Sequence, residues 1–449
     1  MTRLLFLPLL VWSASAQPIA GDWTGTLEAG PQKLRLVLHV KQSPSGLTAA
    51  LDSLDQGAMG LPASKVAFSG GALNAEFAVV GGSYEAKLSE DGRELRGTWS
   101  QGSPLPLVFT RSAKPVEGPK RPQEPKAPFP YDVEEVSVSS AEGVTLACSL
   151  TLPKGEGKHP AAVLITGSGP QNRDEELMGH KPFLVLADAL TRREIAVLRC
   201  DDRGFAKSTG TFRTATSADF ADDAQAEAAF LRKHARIDVA KVGLIGHSEG
   251  GLVAPMVAGR EPATAFVVLI AAPGVNGEQI LKRQIVDILK ASGAPEEAIE
   301  VQRTVQQSVI DVVKTEADPA ARAEKLKAIT APMGKAGEAM ARNASSAWFR
   351  NFVIYDPLPA LGKVKCPVLA LNGSLDLQVA ADQNLGAVEN ALRAGGNKDV
   401  TAVKLDGLNH LLQTAKTGSV AEYAQIEETV APAALKRIGD WLAGRVLAK

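Results

Sequence analysis

Aromatic residues, cysteines, long apolar runs and an excess of either charge are all scarce in this 449-residue chain. Aromatics make up 5% of it, and the cysteines are three, Cys148, Cys200 and Cys366. Three thiols cannot build a disulfide framework. Each lies in or beside an apolar stretch, so all three read as small buried hydrophobes. Lys plus Arg is 49 against 50 Asp plus Glu, a formal net charge of -1. That lacks the basic excess of a duplex-binding surface, so no nucleic-acid partner is expected. No apolar run approaches the ~20 residues of a membrane-spanning helix. There is no G-x-x-x-x-G-K-[ST] phosphate loop, no H-E-x-x-H and no Cys-x-x-Cys, and the six histidines are scattered. No metal and no cofactor are therefore expected.

What is present starts with an address. Residues 1–16 hold one early cation, Arg3, an apolar run from Leu4 to Trp12, and the small-residue exit Ala14-Ser15-Ala16. That is the pattern of a cleaved secretory signal peptide, so a secreted or periplasmic location is expected.

Residues 17–112 read as antiparallel β structure of about eight short strands, a small barrel or sandwich. Alternation sets Leu34, Leu36, Leu38 and Val40 on one face, as it does Leu73, Ala75, Phe77 and Val79. Tyr84, Ala86 and Leu88 form a third such row, and Leu95, Gly97 and Trp99 a fourth. The opening Gly21-Asp22-Trp23-Thr24-Gly25 resembles the start of a lipocalin-type strand. No nucleophile–base–acid set is visible here. The roles open to this module are a folding or docking appendage, substrate capture and homodimerisation. Residues 113–130 carry six prolines and alternating charges, which reads as an extended spacer between domains.

From residue 131 to 449 the pattern changes. Unalternated apolar runs (161–166, 196–198, 242–245, 266–271 and 367–371) alternate with helical stretches such as 182–193 and 218–234. Strands buried on both faces and separated by helices predict a parallel sheet, with functional groups on loops at the strands' carboxyl ends. Within that frame Gly246-His247-Ser248-Glu249-Gly250 follows a strand and opens a helix. This is the setting of a nucleophile elbow, which makes Ser248 the candidate nucleophile.

A serine hydroxyl needs an oriented base. Five histidines fall in strands, helices, upstream segments or the elbow itself. His410 follows the strand 400–405 in a glycine-containing loop near the C-terminus, so it is the candidate base. The acid that orients it is expected at the end of the 367–371 strand, at Asp376, with Asp382 and Asp406 as alternatives. An oxyanion needs two amide donors. One is the N–H of Glu249, and the other belongs to the loop Thr166–Pro170, with Ser168 preferred over Gly167. Residues 275–355 show amphipathic spacing, including Val301, Val305, Val309 and Val312, and predict a helical cap. Trp348, Phe349, Phe352 and Tyr355 are candidate walls of a substrate pocket.

Together these segments resemble the α/β-hydrolase superfamily, in its serine aminopeptidase-like or esterase branch. The marks are Gly167-Ser168-Gly169-Pro170-Gln171 with Arg173-Asp174-Glu175, Cys200-Asp201-Asp202-Arg203-Gly204, the elbow, Gly373-x-x-Asp376 and Asn409-His410. The resemblance implies a Ser248–His410–Asp376 triad and an oxyanion hole of the Ser168 and Glu249 amides. It implies a small-molecule ester or short peptide as substrate. Thr166 stands where many esterases carry His. Asp202 and Arg203 read as structural groups beside the oxyanion loop. Cleavage of carboxylic esters through an acyl-enzyme is the first expectation. An exopeptidase or amidase is the second, with Arg173, Asp174, Glu175 or Glu249 as anchors for an α-amino group. A non-catalytic ligand-binding protein is the third.

Overall fold

The computed structural model describes residues 19–29, 32–43, 46–114, 116 and 119–447. The expected signal peptide lies outside them. The chain divides into two compact units between Pro119 and Lys120.

The first unit is one antiparallel sheet of nine strands: β1 (Gly21–Ala29), β2 (Gln32–Ser43), β3 (Gly46–Ser53), β4 (Ala58–Pro62), β5 (Lys65–Ser69), β6 (Ala72–Phe77), β7 (Gly82–Leu88), β8 (Glu94–Gln101) and β9 (Ser103–Arg111). The order is β4-β3-β2-β1-β9-β8-β7-β6-β5, and the sheet curls so that β5 returns against β3. Alternation sends one face of every strand inward, where Trp23, Phe77, Tyr84, Trp99 and Phe109 fill the interior. Gly97 is required, because a Cβ there would stand 2.0 Å from the carbonyl oxygen of Glu85. Val79 departs from expectation. The strand stops at Phe77, the chain turns through a short 3-10 segment, and Val79 is 65% exposed.

The second unit holds eight strands: β10 (Asp132–Ala141), β11 (Val144–Leu152), β12 (His159–Ile165), β13 (Ala196–Cys200), β14 (Ile237–His247), β15 (Val267–Ile270), β16 (Val368–Gly373) and β17 (Val400–Leu405). Their order is β10-β11-β13-β12-β14-β15-β16-β17, antiparallel through β13 and parallel thereafter. All five apolar runs lie in this sheet. Every residue of β12 is buried, because helices cover both faces. α1 (Pro182–Thr191) packs on one face. α2 (Ser217–Lys233) and α3 (Gly250–Arg260) pack on the other. The helices between β15 and β16 include α4 (Gly277–Ala291), α5 (Glu296–Thr315), α6 (Pro319–Thr330), α7 (Gly334–Ala344) and α8 (Ala347–Ile354). Their shared core includes Val309, Ile310, Val313 and Leu326. Val301, expected on that apolar stripe, is 56% exposed; Ile299 takes the buried place at the start of α5. No helix among the described residues is long and apolar enough to cross a membrane.

Two features depart from the sequence reading. The unit boundary falls inside the proline-rich stretch, and its second half is fastened to the second unit. Arg121 donates to the carbonyls of Met178, Gly179, Ala424 and Ile426 at 2.9–3.1 Å. Gln123 accepts the amides of Thr429 and Val430 and donates to the carbonyl of Val430. Proline content signals an extended backbone, but not whether that backbone is docked. Second, Cys148 and Cys200 are not separate buried thiols. They are register partners on β11 and β13 and form a disulfide. A cysteine count carries no information about strand register. Cys366 is free, and burial pushes its thiol up to about 11.

Candidate active site

Ser248 sits between β14 and α3 with φ 51°, a left-handed backbone that is strained for serine. Its amide donates to the carbonyl of Ile270 at 2.9 Å, which pins the turn to β15. The flanking glycines make so sharp a bend possible. A Cβ on Gly246 would lie 2.0 Å from the carbonyl oxygen of Gly250. One on Gly250 would lie 2.2 Å from that of Ile165. The serine is thereby lifted above the carboxyl edge of the sheet, at the N-terminal end of α3.

The loops after β16 and β17 converge on that edge, because the amide of Leu375 donates to the carbonyl of Leu408 at 2.9 Å. His410 Nδ1 is 2.9 Å from Asp376 Oδ2. Both side chains are buried. Asp376 Oδ1 accepts the amides of Gln378 and Val379, each at 2.9 Å. Asn372 Nδ2 donates to Oδ2 at 3.1 Å. These donors aim the carboxylate at Nδ1, which leaves Nε2 of His410 as the ring nitrogen open to act as a base. His180, set aside in the sequence, is buried between the carbonyl of Tyr423 and Thr429 Oγ1. Burial pushes it down to about 4, so it stays neutral and braces the loops around His410.

The oxyanion loop follows β12. Gly167 N–H donates to Glu175 Oε1 at 2.8 Å, so it is not free for a substrate oxygen. That removes Gly167 and keeps Ser168 N–H as the candidate donor of this loop beside Glu249 N–H. Asp202 ties the loop at both ends: Thr166 Oγ1 donates to it at 2.7 Å and the Gln171 amide at 2.8 Å. Burial, reinforced by the charges of Glu249 and Glu175, pushes Asp202 up to about 8 despite these donors. Arg203 pairs with Asp223 at 2.6 Å and anchors the segment to α2.

The Glu249 carboxylate turns away from the serine. It accepts Ser217 Oγ at 2.6 Å and the Trp348 indole N–H at 2.7 Å, and the Ser168 hydroxyl also donates to it. Burial nonetheless raises its pKa above the ordinary value. α8 starts where it does because Ser346 Oγ accepts the Phe349 amide at 3.1 Å. That start sends Trp348 and Phe352, stacked at 5.4 Å, toward Ser248.

A cavity of about 220 Å³ joins these groups. Ser248, His410, Ser168, Glu249, Trp348 and Phe352 line it. So do Leu177, Gln171, Gln284 and Gln378, none of which the sequence reading assigned to a pocket. Two expected wall residues are elsewhere. Phe349 packs inside the cap with Val309, Val313 and Leu326. Tyr355 packs against the sheet-side core and against the cluster of Leu252, Ile280 and Phe352 without lining the cavity. One step along a helix rotates a side chain by about 100°, so Phe349 faces other partners than Trp348, while Tyr355 follows the end of α8 in an extended conformation.

Residues 181–416 match the model of a family described as serine aminopeptidase, S33. That span contains Ser248, Asp376 and His410. Over 286 residues the chain is 28% identical to the esterase EstD of Thermotoga maritima, a match covering 64% of this chain and 61% of that protein. The chain thus spans about 61% of the length of that curated relative. Among solved structures it is similar to an esterase of Pyrococcus furiosus, at 15% identity and TM-score 0.45 over 70% of this chain and 92% of that one. It is also similar to the α/β-hydrolase GrgF of Penicillium sp. sh18, at 16% identity and TM-score 0.46 over 71% and 100%.

Proposed function

The chain belongs to the serine aminopeptidase S33 family of α/β-hydrolases, and from that premise we propose that it cleaves carboxylic esters through an acyl-enzyme. One observation carries the reading: a serine in a left-handed elbow shares a cavity with a histidine that a buried aspartate orients. His410 Nε2 takes the proton of Ser248 Oγ as that oxygen attacks the ester carbonyl carbon. The Ser168 and Glu249 N–H groups hold the oxyanion. Collapse breaks the carbon–oxygen bond, and His410 returns its proton to the departing alcohol. A water, deprotonated by His410, then releases the acid and restores Ser248.

An aminopeptidase would need an anionic group free to hold the substrate's ammonium. The anchors suggested by the sequence are occupied. Arg173 is bound by Asp201 and Glu135, and Asp174 by Arg199. Glu175 is bound by Gly167 and His247, and Glu249 by Ser217 and Trp348. The remaining polar lining offers the neutral amides of Gln171, Gln284 and Gln378, which favours an uncharged ester. The Cys148–Cys200 bridge agrees with an oxidising compartment and supports export, as the leader-like residues 1–16 do.

The test pairs a fluorophosphonate label with hydrolysis of a short-chain aryl ester and a matched aminoacyl amide. Wild type should label at Ser248 and prefer the ester in kcat/KM, and Ser248→Ala should lose both labelling and turnover. Turnover surviving in Ser248→Ala removes the site from the mechanism. A higher kcat/KM on the amide replaces the esterase with a peptidase.

A further inference from the structure

Glu175 and His247 stand beside the proposed triad, and both are almost fully buried. Glu175 has φ 52°, a left-handed backbone that glutamate adopts when its surroundings hold it there. Its Oε1 accepts the Gly167 amide at 2.8 Å and lies 2.8 Å from His247 Nδ1. The second ring nitrogen, Nε2, lies 3.1 Å from the carbonyl oxygen of His410. Each nitrogen of this ring therefore faces an acceptor. A neutral imidazole has one N–H and one lone pair and can satisfy only one of them. Two protons satisfy both, which makes the ring a cation.

From this geometry we infer that Glu175 and His247 form a buried ion pair that positions the active site, joining the oxyanion loop, the elbow and the His410 loop. The inference deepens the esterase reading and rests on it, since the groups it positions are those of that mechanism. The charged and titratable groups facing the ring are Glu175, Asp376 and His410, whose ring centroid is 4.8 Å away. Burial works against a charge on His247, but the Glu175 carboxylate outweighs it and the group lies above its ordinary value. Glu175 thus does two things. It turns the Gly167 N–H away from the substrate, leaving Ser168 to offer its own. It also keeps His247 protonated, so that Nε2–H holds the backbone of the residue that serves as base. When His247 loses a proton, one nitrogen meets its acceptor with a lone pair and that hold fails. Both are positioning residues, because neither acts on the substrate directly.

The experiment is a pH profile of kcat/KM for a short aryl ester, in wild type and in Glu175→Gln. Glutamine keeps the size and can accept one N–H, but it no longer supports a cation. His247 should then deprotonate at lower pH, and the basic limb should move down by about one unit or more. The loss should be about threefold near pH ~6 and tenfold or more near pH ~9, carried by kcat. The same loss factor at every pH would mark a merely structural role and overturn the inference.

If Glu175→Gln does not fold, histidine ring-nitrogen NMR on the folded protein decides. His39 also has carboxylates on both nitrogens, Asp22 at 2.7 Å and Asp52 at 2.9 Å. A pH titration of the ring nitrogens should show two rings losing their second proton above the ordinary histidine range in wild type and one in His39→Asn. None in His39→Asn would overturn the pair. A wild type that neither labels at Ser248 nor turns over ester would overturn the esterase reading alone, since the ring protonation is read without activity.

Discussion

The two sides of this active site are built by opposite means. On the histidine side a single carboxylate, Asp376, is fed by two backbone amides and Asn372, and it meets His410 Nδ1. On the oxyanion side three carboxylates, Glu175, Asp202 and Glu249, crowd the place where the proposed mechanism develops negative charge. Bare anions there would oppose the reaction, because charges interact strongly where water is excluded. Each is instead engaged. Glu175 takes Gly167 and His247, Asp202 takes Thr166 and Gln171, and Glu249 takes Ser217 and Trp348. The difference teaches that acids near an oxyanion hole can serve as acceptors for the loop. They fix hydroxyls and N–H groups around the hole while the two remaining amides stay open. A fourth acid, Glu227, lies behind Asp202, and burial raises it well above its ordinary value.

The contrast can be broken most sharply on the histidine side. Asp376→Asn keeps the shape of the loop but presents the wrong donor–acceptor pattern to Nδ1, so His410 is held in the wrong tautomer. kcat should fall by about 10³–10⁴-fold with the fold intact by circular dichroism. A loss below tenfold would mean that another carboxylate, such as Asp382 or Asp406, orients the base.

On the oxyanion side the larger effect is in stability and its pH dependence. Asp202 lies at about 8 in the folded chain and near the ordinary carboxylate value when unfolded. The folded state therefore binds the extra proton between roughly pH 4 and pH 8, and stability falls as pH rises through that window. The side-chain amide introduced by Asp202→Asn would accept the Gln171 N–H with its oxygen and donate to Thr166 with its nitrogen, with no charge to bury. Thermal melts of Asp202→Asn should be flatter from pH ~5 to ~9 and should exceed wild type by roughly 1–3 kcal/mol at the alkaline end. Parallel curves for the two proteins would show that Asp202 does not titrate in this range.

The same division governs what could be read in the sequence. Ser248 was legible because the two flanking glycines are forced by backbone approaches of 2.0 and 2.2 Å, which leave a fixed trace in the chain. Asp376 and His410 were legible because strand ends and chain order place them. The sheet was legible because burial on both faces removes alternation from runs such as 161–166. The Glu175–His247 contact was not, since it joins residues 72 apart through a left-handed turn that no glycine announces. The Cys148–Cys200 bridge was hidden for the same reason: it depends on the register of β11 against β13, which local pattern does not encode. In the cap, periodicity gave helices but not which stripe meets the cavity, so Trp348 and Phe352 were grouped with Phe349 and Tyr355.

The smallest expected effect sharpens the comparison at the point where the cap meets the oxyanion side. Trp348 shares its indole N–H between the two oxygens of Glu249, at 2.7 and 2.9 Å, and its ring also lines the cavity. Trp348→Phe keeps an aromatic wall but removes the donor. Glu249 retains Ser217 and the Ser168 hydroxyl, so its backbone N–H should stay aimed at the oxyanion. The lost bond fastens α8, and so the wall it provides, rather than the reacting atoms. KM for a short aryl ester should therefore rise by roughly threefold to tenfold, the scale of one hydrogen bond to a charged group, with kcat changed by less than about twofold. Steady-state kinetics on both proteins separate the outcomes. A fall in kcat with KM unchanged would show that the cap's hydrogen bond reaches through Glu249 to the transition state, and the oxyanion side would then extend into the cap.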